Sequence, residues 1–361
     1  MEFERYSVES LHALARDAMV KVGVPADHAE TFATGCVIAD IRGVESHGVA
    51  RMANYVYIVE AGLVDATAKP SIVHEAPATA LVDANNGLGH VASTFAMQLA
   101  VQKARESGMG WVNVRNSNHY GIAGYYAGMA LEHDMIGLCS TNAGPSVAPM
   151  GGKQRMLGTN PIAIAAPAGE EDAFLLDMAT SAVAAGKFQI AMWEGKPIPA
   201  GWGIDAEGNV STDPKAVLPG GGAQLPLGSF LELAGYKGYG LATAVDILCG
   251  VLGGDVFGTQ VRNVSVTRPD SRAGTSHFFA ALDVARFSSV EDFKARMDRL
   301  IRSLRDSARA PGVDRIYIAG EKEKIAERKH RQSGIPLHPS VVKSLSDMAA
   351  RLELPFPTPV S

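Results

Sequence analysis

Residues 79–139 read TALVDANNGLGHVASTFAMQLAVQKARESGMGWVNVRNSNHYGIAGYYAGMALEHDMIGLC, and this stretch decides the fold class. Residues 79–82 form a short β-rich run, and 89–106 carry apolar residues at the three- and four-residue spacing of a helix. Residues 110–114 then read as a second strand, 121–133 as a second helix and 136–139 as a further apolar run. Strands that alternate with helices build a sheet covered by helices, so the centre of the chain is α/β. Apolar runs at 161–166, 173–176 and 278–282 extend the sheet; a helix is expected over 238–252, after a turn-rich stretch at 193–228.

Outward from this centre the pattern is helical. In 7–22 the residues Leu11, Leu14, Ala15, Met19 and Val22 recur at helix period, with Gly23 as a stop. Helices are also expected over 25–41, over 49–60 ending before Gly62, and in the tail over 290–307 and 340–352. Helical ends around an α/β middle suggest two regions: 1–73 packed together with 283–361, and 74–282 as a separate domain.

The chain has 361 residues, of which 47% are hydrophobic, enough for two or three domains with a sizeable core. Its 33 Lys+Arg against 38 Asp+Glu are spread without long like-charged blocks, so the basic footprint of a nucleic-acid binder is missing. Cys36, Cys139 and Cys249 lie far apart, which suits neither a disulfide framework nor a Cys-x-x-Cys pair, and no metal site is expected. The N-terminus lacks a secretory pattern. The longest apolar candidate, 241–253, is interrupted by Asp246 and falls short of the ~20 residues a bilayer needs. A cytoplasmic protein without a membrane partner is the expectation.

Most decisive motifs are absent: no G-x-G-x-x-G follows a strand, and no P-loop, H-E-x-x-H or G-x-S-x-G occurs. What remains are polar clusters in glycine-rich surroundings. Ser46-His47-Gly-Val-Ala-Arg51 offers an imidazole for proton exchange and a guanidinium for a carboxylate; if a helix has begun, His47 and Arg51 share a face. The plainer reading is Ser46 as a helix cap and Arg51 as a surface residue. His119, in Asn116-Ser-Asn-His119-Tyr-Gly121, lies between a strand and a helix, where it serves as an acid/base, a cofactor contact or a cap. Gly158-Thr-Asn160-Pro161 precedes Asp177-Met178-Ala179, and Asp177 closes an apolar run where a carboxylate needs a partner such as a histidine or a cofactor hydroxyl. It could instead cap the next turn. Lys237, in Gly235-Tyr-Lys237-Gly-Tyr-Gly240, suits a phosphate or ribose, or simply belongs to a tight turn into a helix. Ala319-Gly320-Glu321 follows Pro311-Gly312 in a loop able to close on a ligand.

In order and spacing, S-H-G-V-A-R at Ser46 to Arg51, S-N-H-Y-G-I-A-G-Y-Y at Ser117 to Tyr126, G-T-N-P at Gly158 to Pro161, D-M-A-T-S at Asp177 to Ser181 and K-G-Y-G at Lys237 to Gly240 resemble the type-2 malate/L-lactate dehydrogenase family. That family is also called L-sulfolactate dehydrogenase-like or ureidoglycolate dehydrogenase-like. The resemblance covers nearly the whole chain. It implies a non-Rossmann three-layer α/β/α cofactor domain with a mixed sheet, residues 74–282, which agrees with the missing glycine fingerprint. The helical 1–73 with 283–361 would then be the substrate and dimerisation region.

It further implies a homodimer that binds NAD or NADP. By position, the resemblance makes His47 or His119 the acid/base, Arg51 the clamp on the substrate carboxylate with Ser46 beside it, and Asp177 the carboxylate next to the nicotinamide and active-site histidine. His119, Gly158, Asn160, Pro161, Asp177, Met178, Ala179, Lys237, Ala319, Gly320 and Glu321 would meet the cofactor.

The implied reaction moves a hydride between nicotinamide and C2 of a 2-hydroxy or 2-oxo acid while a histidine exchanges the hydroxyl proton. Malate, lactate or sulfolactate is the expected type of acid. A reductase of cyclic imines such as Δ1-piperideine-2-carboxylate or Δ1-pyrroline-2-carboxylate would use the same clamp and proton donor. A dimeric nucleotide-binding scaffold without chemistry is the alternative outside enzymes.

Overall fold

The structure, a computed structural model, describes residues 3–262 and 271–360. At its centre Ser71–Glu75, Thr79–Asp83, Met109–Ser117, Thr275–Asp283, Met135–Thr141, Ile162–Ala166 and Phe174–Met178 lie side by side in that order. Thr79–Asp83 and Met109–Ser117 run parallel, linked through the helix Gly89–Ser107; the other neighbours are antiparallel. The sheet is therefore mixed.

Side chains alternate across a strand, and each face of this sheet has its own helical cover. On one face Val112, Val114 and Phe279 pack against Ala96, Met97 and Ala100 of Gly89–Ser107 and against Tyr126 and Ala127 of Ala123–Met129. On the other, Trp111, Leu138 and Phe278 pack against Val245 and Cys249, which lie on the helix Gly235–Asp246 and its π-helical continuation Ile247–Val251. Trp111 and Phe278 stack with centroids 4.6 Å apart. The result is the three-layer α/β/α arrangement.

The chain ends share a second core. Leu11, Met19, Phe32 and Ile58 from Val8–Lys21, Ala26–Ile41 and Met52–Glu60 meet Leu345 and Met348 of Pro339–Arg351. A short antiparallel ladder, Glu4–Tyr6 with Ile335–Leu337, closes the same region. His330 of Glu321–Ser333 makes hydrogen bonds through Nδ1 to the carbonyls of Asp40 and Ile41, 2.9 and 3.1 Å away, and so satisfies the C-terminal end of Ala26–Ile41. The helix Val290–Arg305 packs elsewhere: Asp298 accepts the N–H groups of Gly169, Glu170 and Glu171.

Three of the elements that differ from the sequence reading do so for a local reason. The helix expected over 49–60 is α-helical only from Met52; Glu45–His47 and Val49–Arg51 are separate 3-10 turns divided at Gly48. A Cβ at Gly48 would lie 2.0 Å from Asp40 Oδ2, so the carboxylate occupies the space a side chain would need. The helix expected over 121–133 is Ala123–Met129 followed by the 3-10 turn Ala130–His133, because Gly121 sits at φ +83° and cannot belong to it. Finally, the loop ending at Glu321 runs directly into Glu321–Ser333, whose EKEKIAERKHRQS composition has too few apolar residues to show a helical period.

Candidate active site

The polar clusters converge at one end of the central sheet. His119 follows the C-terminal end of Met109–Ser117, Asn160 and Pro161 lead into Ile162–Ala166, and Asp177 and Met178 close Phe174–Met178. Ile162 pairs with Met178, which places Pro161 and Ala179 side by side. The end of a sheet strand opening onto a helix is where α/β proteins commonly build ligand sites.

The N-terminal helical region supplies the other wall. The His47 ring stacks on His119 with centroids 5.5 Å apart and planes 23° from parallel. Ser46 Oγ lies 2.9 Å from His47 Nδ1, and Arg51 turns back to donate from Nε to the Ser46 carbonyl at 2.5 Å. His47 and Arg51 therefore come together through a turn and a hydrogen bond rather than along one α-helical face. Arg51 is partly buried and has no ion pair among the described residues. Burial and then the Arg51 charge push His47 down to about 3, and burial likewise lowers His119, helped by the charge of Arg51. Both imidazoles are neutral at physiological pH.

Asp177, for which a histidine or a cofactor hydroxyl is the expected partner, bonds a backbone amide within the chain. Its Oδ2 accepts the Gly124 N–H at 2.7 Å, in the first turn of Ala123–Met129, where unpaired amides and the helix dipole favour an anion. A Cβ at Gly124 would lie 2.9 Å from that oxygen, so glycine permits the approach. Asp177 is exposed at the end of its strand, and desolvation by the surrounding protein pushes its carboxyl up to about 6.

The remaining cofactor candidates divide into engaged and open groups. Asn160 is fully buried, accepts the Ala143 N–H at 3.1 Å and donates to the Ala242 carbonyl at 2.9 Å; its amide holds the turn that Gly158 begins. Glu321 is buried against Arg315 and accepts the Ile318 N–H at 3.1 Å. Leu175 N–H donates to the Ala319 carbonyl at 3.0 Å, and Gly320 at φ +89° follows, so this loop lies along the edge strand that carries Asp177. Pro161, Met178 and Ala179 remain partly exposed, and Lys237 is exposed on Gly235–Asp246. The open backbone at Met178 and Ala179, the carboxyl of Asp177 and the ammonium of Lys237 are suitable chemistry for the amide, ribose and phosphate groups of a nicotinamide dinucleotide.

Asp40 carries the support under His47. Its side chain is 1% exposed, its Oδ2 accepts the Val49 N–H at 2.7 Å, and burial pushes its carboxyl up to about 8. The unfolded chain releases this proton near the ordinary carboxylate value, about 4. Stability from Asp40 is therefore present at acid pH and is lost as pH rises from about 4 to about 8. Asp40→Asn keeps the acceptor and removes the titration, so the wild-type Tm should fall relative to the variant over that range. Parallel Tm–pH curves would refute the assignment.

Sequence reasoning passed over three aromatic residues around His119. Tyr55 places its hydroxyl 2.5 Å from His119 Nδ1. His277 is fully buried and bonds Thr141 and Ser117 through its two ring nitrogens, 2.7 and 2.9 Å away. His90, also fully buried, packs edge-on to Phe32 and Tyr55. None of the three left a signal in the sequence that separates it from an ordinary core residue.

Residues 6–346 match the family described as malate/L-lactate dehydrogenase. The chain is 45% identical over 335 residues to a malate dehydrogenase of Pyrococcus horikoshii, covering 92% of this chain and 91% of that protein. It is 39% identical over 346 residues to an L-sulfolactate dehydrogenase of Methanocaldococcus jannaschii, covering 96% of each. The crystal structure of malate dehydrogenase from Entamoeba histolytica superposes with a TM-score of 0.94 at 35% identity, covering 99% of this chain and 100% of that one. The chain belongs to the malate/L-lactate dehydrogenase family and is a nicotinamide-dependent oxidoreductase of 2-hydroxy acids.

Proposed function

We propose that the acid is a small 2-hydroxy/2-oxo acid of the malate, lactate or sulfolactate type, held by Arg51 and served by His47 as the proton donor and acceptor. The observation that carries this reading is Arg51: an enclosed guanidinium with no carboxylate partner among the described residues, beside two stacked neutral imidazoles. An unpaired charge in an enclosed site is costly, and a substrate carboxylate supplies the missing partner through two parallel hydrogen bonds. Asp177, Met178, Ala179, Lys237 and the loop Ala319-Gly320-Glu321, with Gly158, Asn160 and Pro161 shaping the floor, would hold the dinucleotide, NAD or NADP. When bound, the nicotinamide supplies or accepts the hydride at C2.

Occupation of Arg51 also acts on His47. Its carboxylate cancels the positive field that is the second cause of the low His47 pKa, so an anionic substrate brings the imidazole closer to its ordinary value and makes proton exchange feasible. Ser46, bonded to His47 Nδ1, holds the ring without fixing its protonation, because a hydroxyl both donates and accepts.

A panel of oxaloacetate, pyruvate, 3-sulfopyruvate and cyclic imine carboxylates, each with NADH and with NADPH, tests the reading. The expected result is turnover of 2-oxo acids above that of the imines. Turnover of the imines alone would replace the acid reading, and cofactor binding without turnover of any compound would favour the scaffold.

The same proposal includes a homodimer. Leu241, Ile247, Val251 and Leu252 are exposed on the outer side of a helix whose inner side, Ala242, Val245 and Cys249, is already buried. A helix apolar on both sides is suited to cover by a second copy. Leu241→Glu combined with Val251→Glu should convert a sedimenting dimer to monomer. A cytoplasmic setting fits three free buried cysteines.

A further inference from the structure

The hydrogen bonds around His119 fix which of its nitrogens carries the proton. Gly121 N–H points at His119 Nδ1 at 3.3 Å, and the Tyr55 hydroxyl lies 2.5 Å from the same nitrogen. A backbone N–H can only donate, so Nδ1 is bare and accepts. Burial holds the Tyr55 phenol in its protonated form, far above its usual range, and its O–H therefore donates to Nδ1 as well. A neutral ring with a bare Nδ1 carries its hydrogen on Nε2.

We infer that Tyr55 is a positioning residue: with the Gly121 amide it locks His119 as the neutral Nε2–H tautomer, so that His119 polarises the C2 oxygen and leaves proton exchange to His47. This rests on the proposed reading of the site as one that takes a 2-oxo acid. A neutral imidazole that donates one N–H is well suited to polarise a carbonyl. In the reduction, hydride adds to C2 as the C=O π electrons move to oxygen. The N–H of His119 stabilises that oxygen and keeps its own proton. The O–H bond is completed by the proton of imidazolium His47, which returns to neutral.

His119 is poorly placed to do the transfer itself. A proton added at Nδ1 would face both the Gly121 N–H and the Tyr55 O–H, and one removed from Nε2 would leave an imidazolate. The charged and titratable groups facing the ring are Arg51 and His47 from the turns before Met52–Glu60, Tyr55 from that helix, His90 from Gly89–Ser107 and His277 from Thr275–Asp283. None is a carboxylate, and Arg51 opposes a further positive charge. His47 has no such lock, since its Nδ1 meets the adaptable hydroxyl of Ser46.

The test is 15N NMR of protein labelled at histidine, with the His119 signals assigned by their loss in His119→Asn, combined with kinetics of Tyr55→Phe. Phenylalanine keeps the ring packed edge-on to Phe32, 5.0 Å away, and to His90, 5.4 Å away, and removes only the hydroxyl. In the wild type, His119 should show a bare Nδ1 and a protonated Nε2, unchanged between about pH 6 and 8. In Tyr55→Phe only the Gly121 N–H, 3.3 Å away, still faces Nδ1, so a minor Nδ1–H tautomer should become detectable, with kcat down roughly 10- to 100-fold, less than the ~10²- to 10³-fold for losing such a donor outright, and KM for the acid within about twofold. A proton on Nδ1 in the wild type, titration of His119 in that range, or undiminished kcat in Tyr55→Phe would overturn the inference. The NMR needs no substrate, so it decides the tautomer whether or not the acid reading holds.

Discussion

Arg51→Ala is expected to lower kcat/KM for the acid by about 10²- to 10³-fold, a loss of roughly 3–4 kcal/mol, with the effect concentrated in KM. The guanidinium is enclosed, has no carboxylate partner among the described residues, and is aimed by its Nε bond to the Ser46 carbonyl. Removing it abolishes two charge-assisted bonds at once and leaves a substrate carboxylate desolvated against a wall of imidazoles. On the proposed reading the cofactor side would be carried by Asp177, Met178, Ala179 and Lys237, so the dissociation constant for NADH or NADPH, read by fluorescence titration, should move by less than about twofold. Arg51→Lys should recover only part of the loss, because an ammonium lacks the planar fork that matches a carboxylate. Unchanged KM in Arg51→Ala would show that the acid binds elsewhere.

What was legible in the sequence follows from how far each signal reaches. The β–α alternation over 79–139 and the helical period of 7–22 are local patterns, and both correspond to observed elements. The insertion of Thr275–Asp283 between Met109–Ser117 and Met135–Thr141 was not legible, because nothing within a strand names a partner more than a hundred residues away. The same limit applies to the site. The clusters containing His47 and His119 stood out as polar residues among glycines, but their stacking depends on the packing of Ala26–Ile41 and Met52–Glu60 against the rest of the molecule. Asp177 was visible as a carboxylate closing an apolar run; its Gly124 partner was not, since Gly124 lies 53 residues earlier, on a helix. Tyr55 was hidden for the opposite reason. A tyrosine among Val56, Ile58 and Val59 reads as core, and its ring is indeed buried; only the direction of one hydroxyl gives it a second part to play.

His47→Ala should produce the largest loss of turnover, roughly the 10²- to 10⁴-fold supplied by a positioned general acid or base, with cofactor affinity intact. The pH profile carries the stronger argument. In the free protein, burial and the Arg51 charge hold His47 down to about 3. On the proposed reading the substrate carboxylate neutralises Arg51 and removes that cause, so the imidazole pKa rises to a bound-state value that burial, the larger cause, still holds below its ordinary range. Reduction needs the protonated ring, so kcat for the 2-oxo acid should fall as pH rises through that value; oxidation needs the neutral ring, so kcat for the hydroxy acid should rise over the same interval. His47→Ala should be slow in both directions and flat across this interval. His119→Asn, which removes the polarising imidazole but not the proton carrier, should be slow yet keep the wild-type limb. The opposite pattern, a limb that survives without His47 and disappears without His119, would exchange the two roles, because the residue whose removal erases the titration is the one that moves the proton.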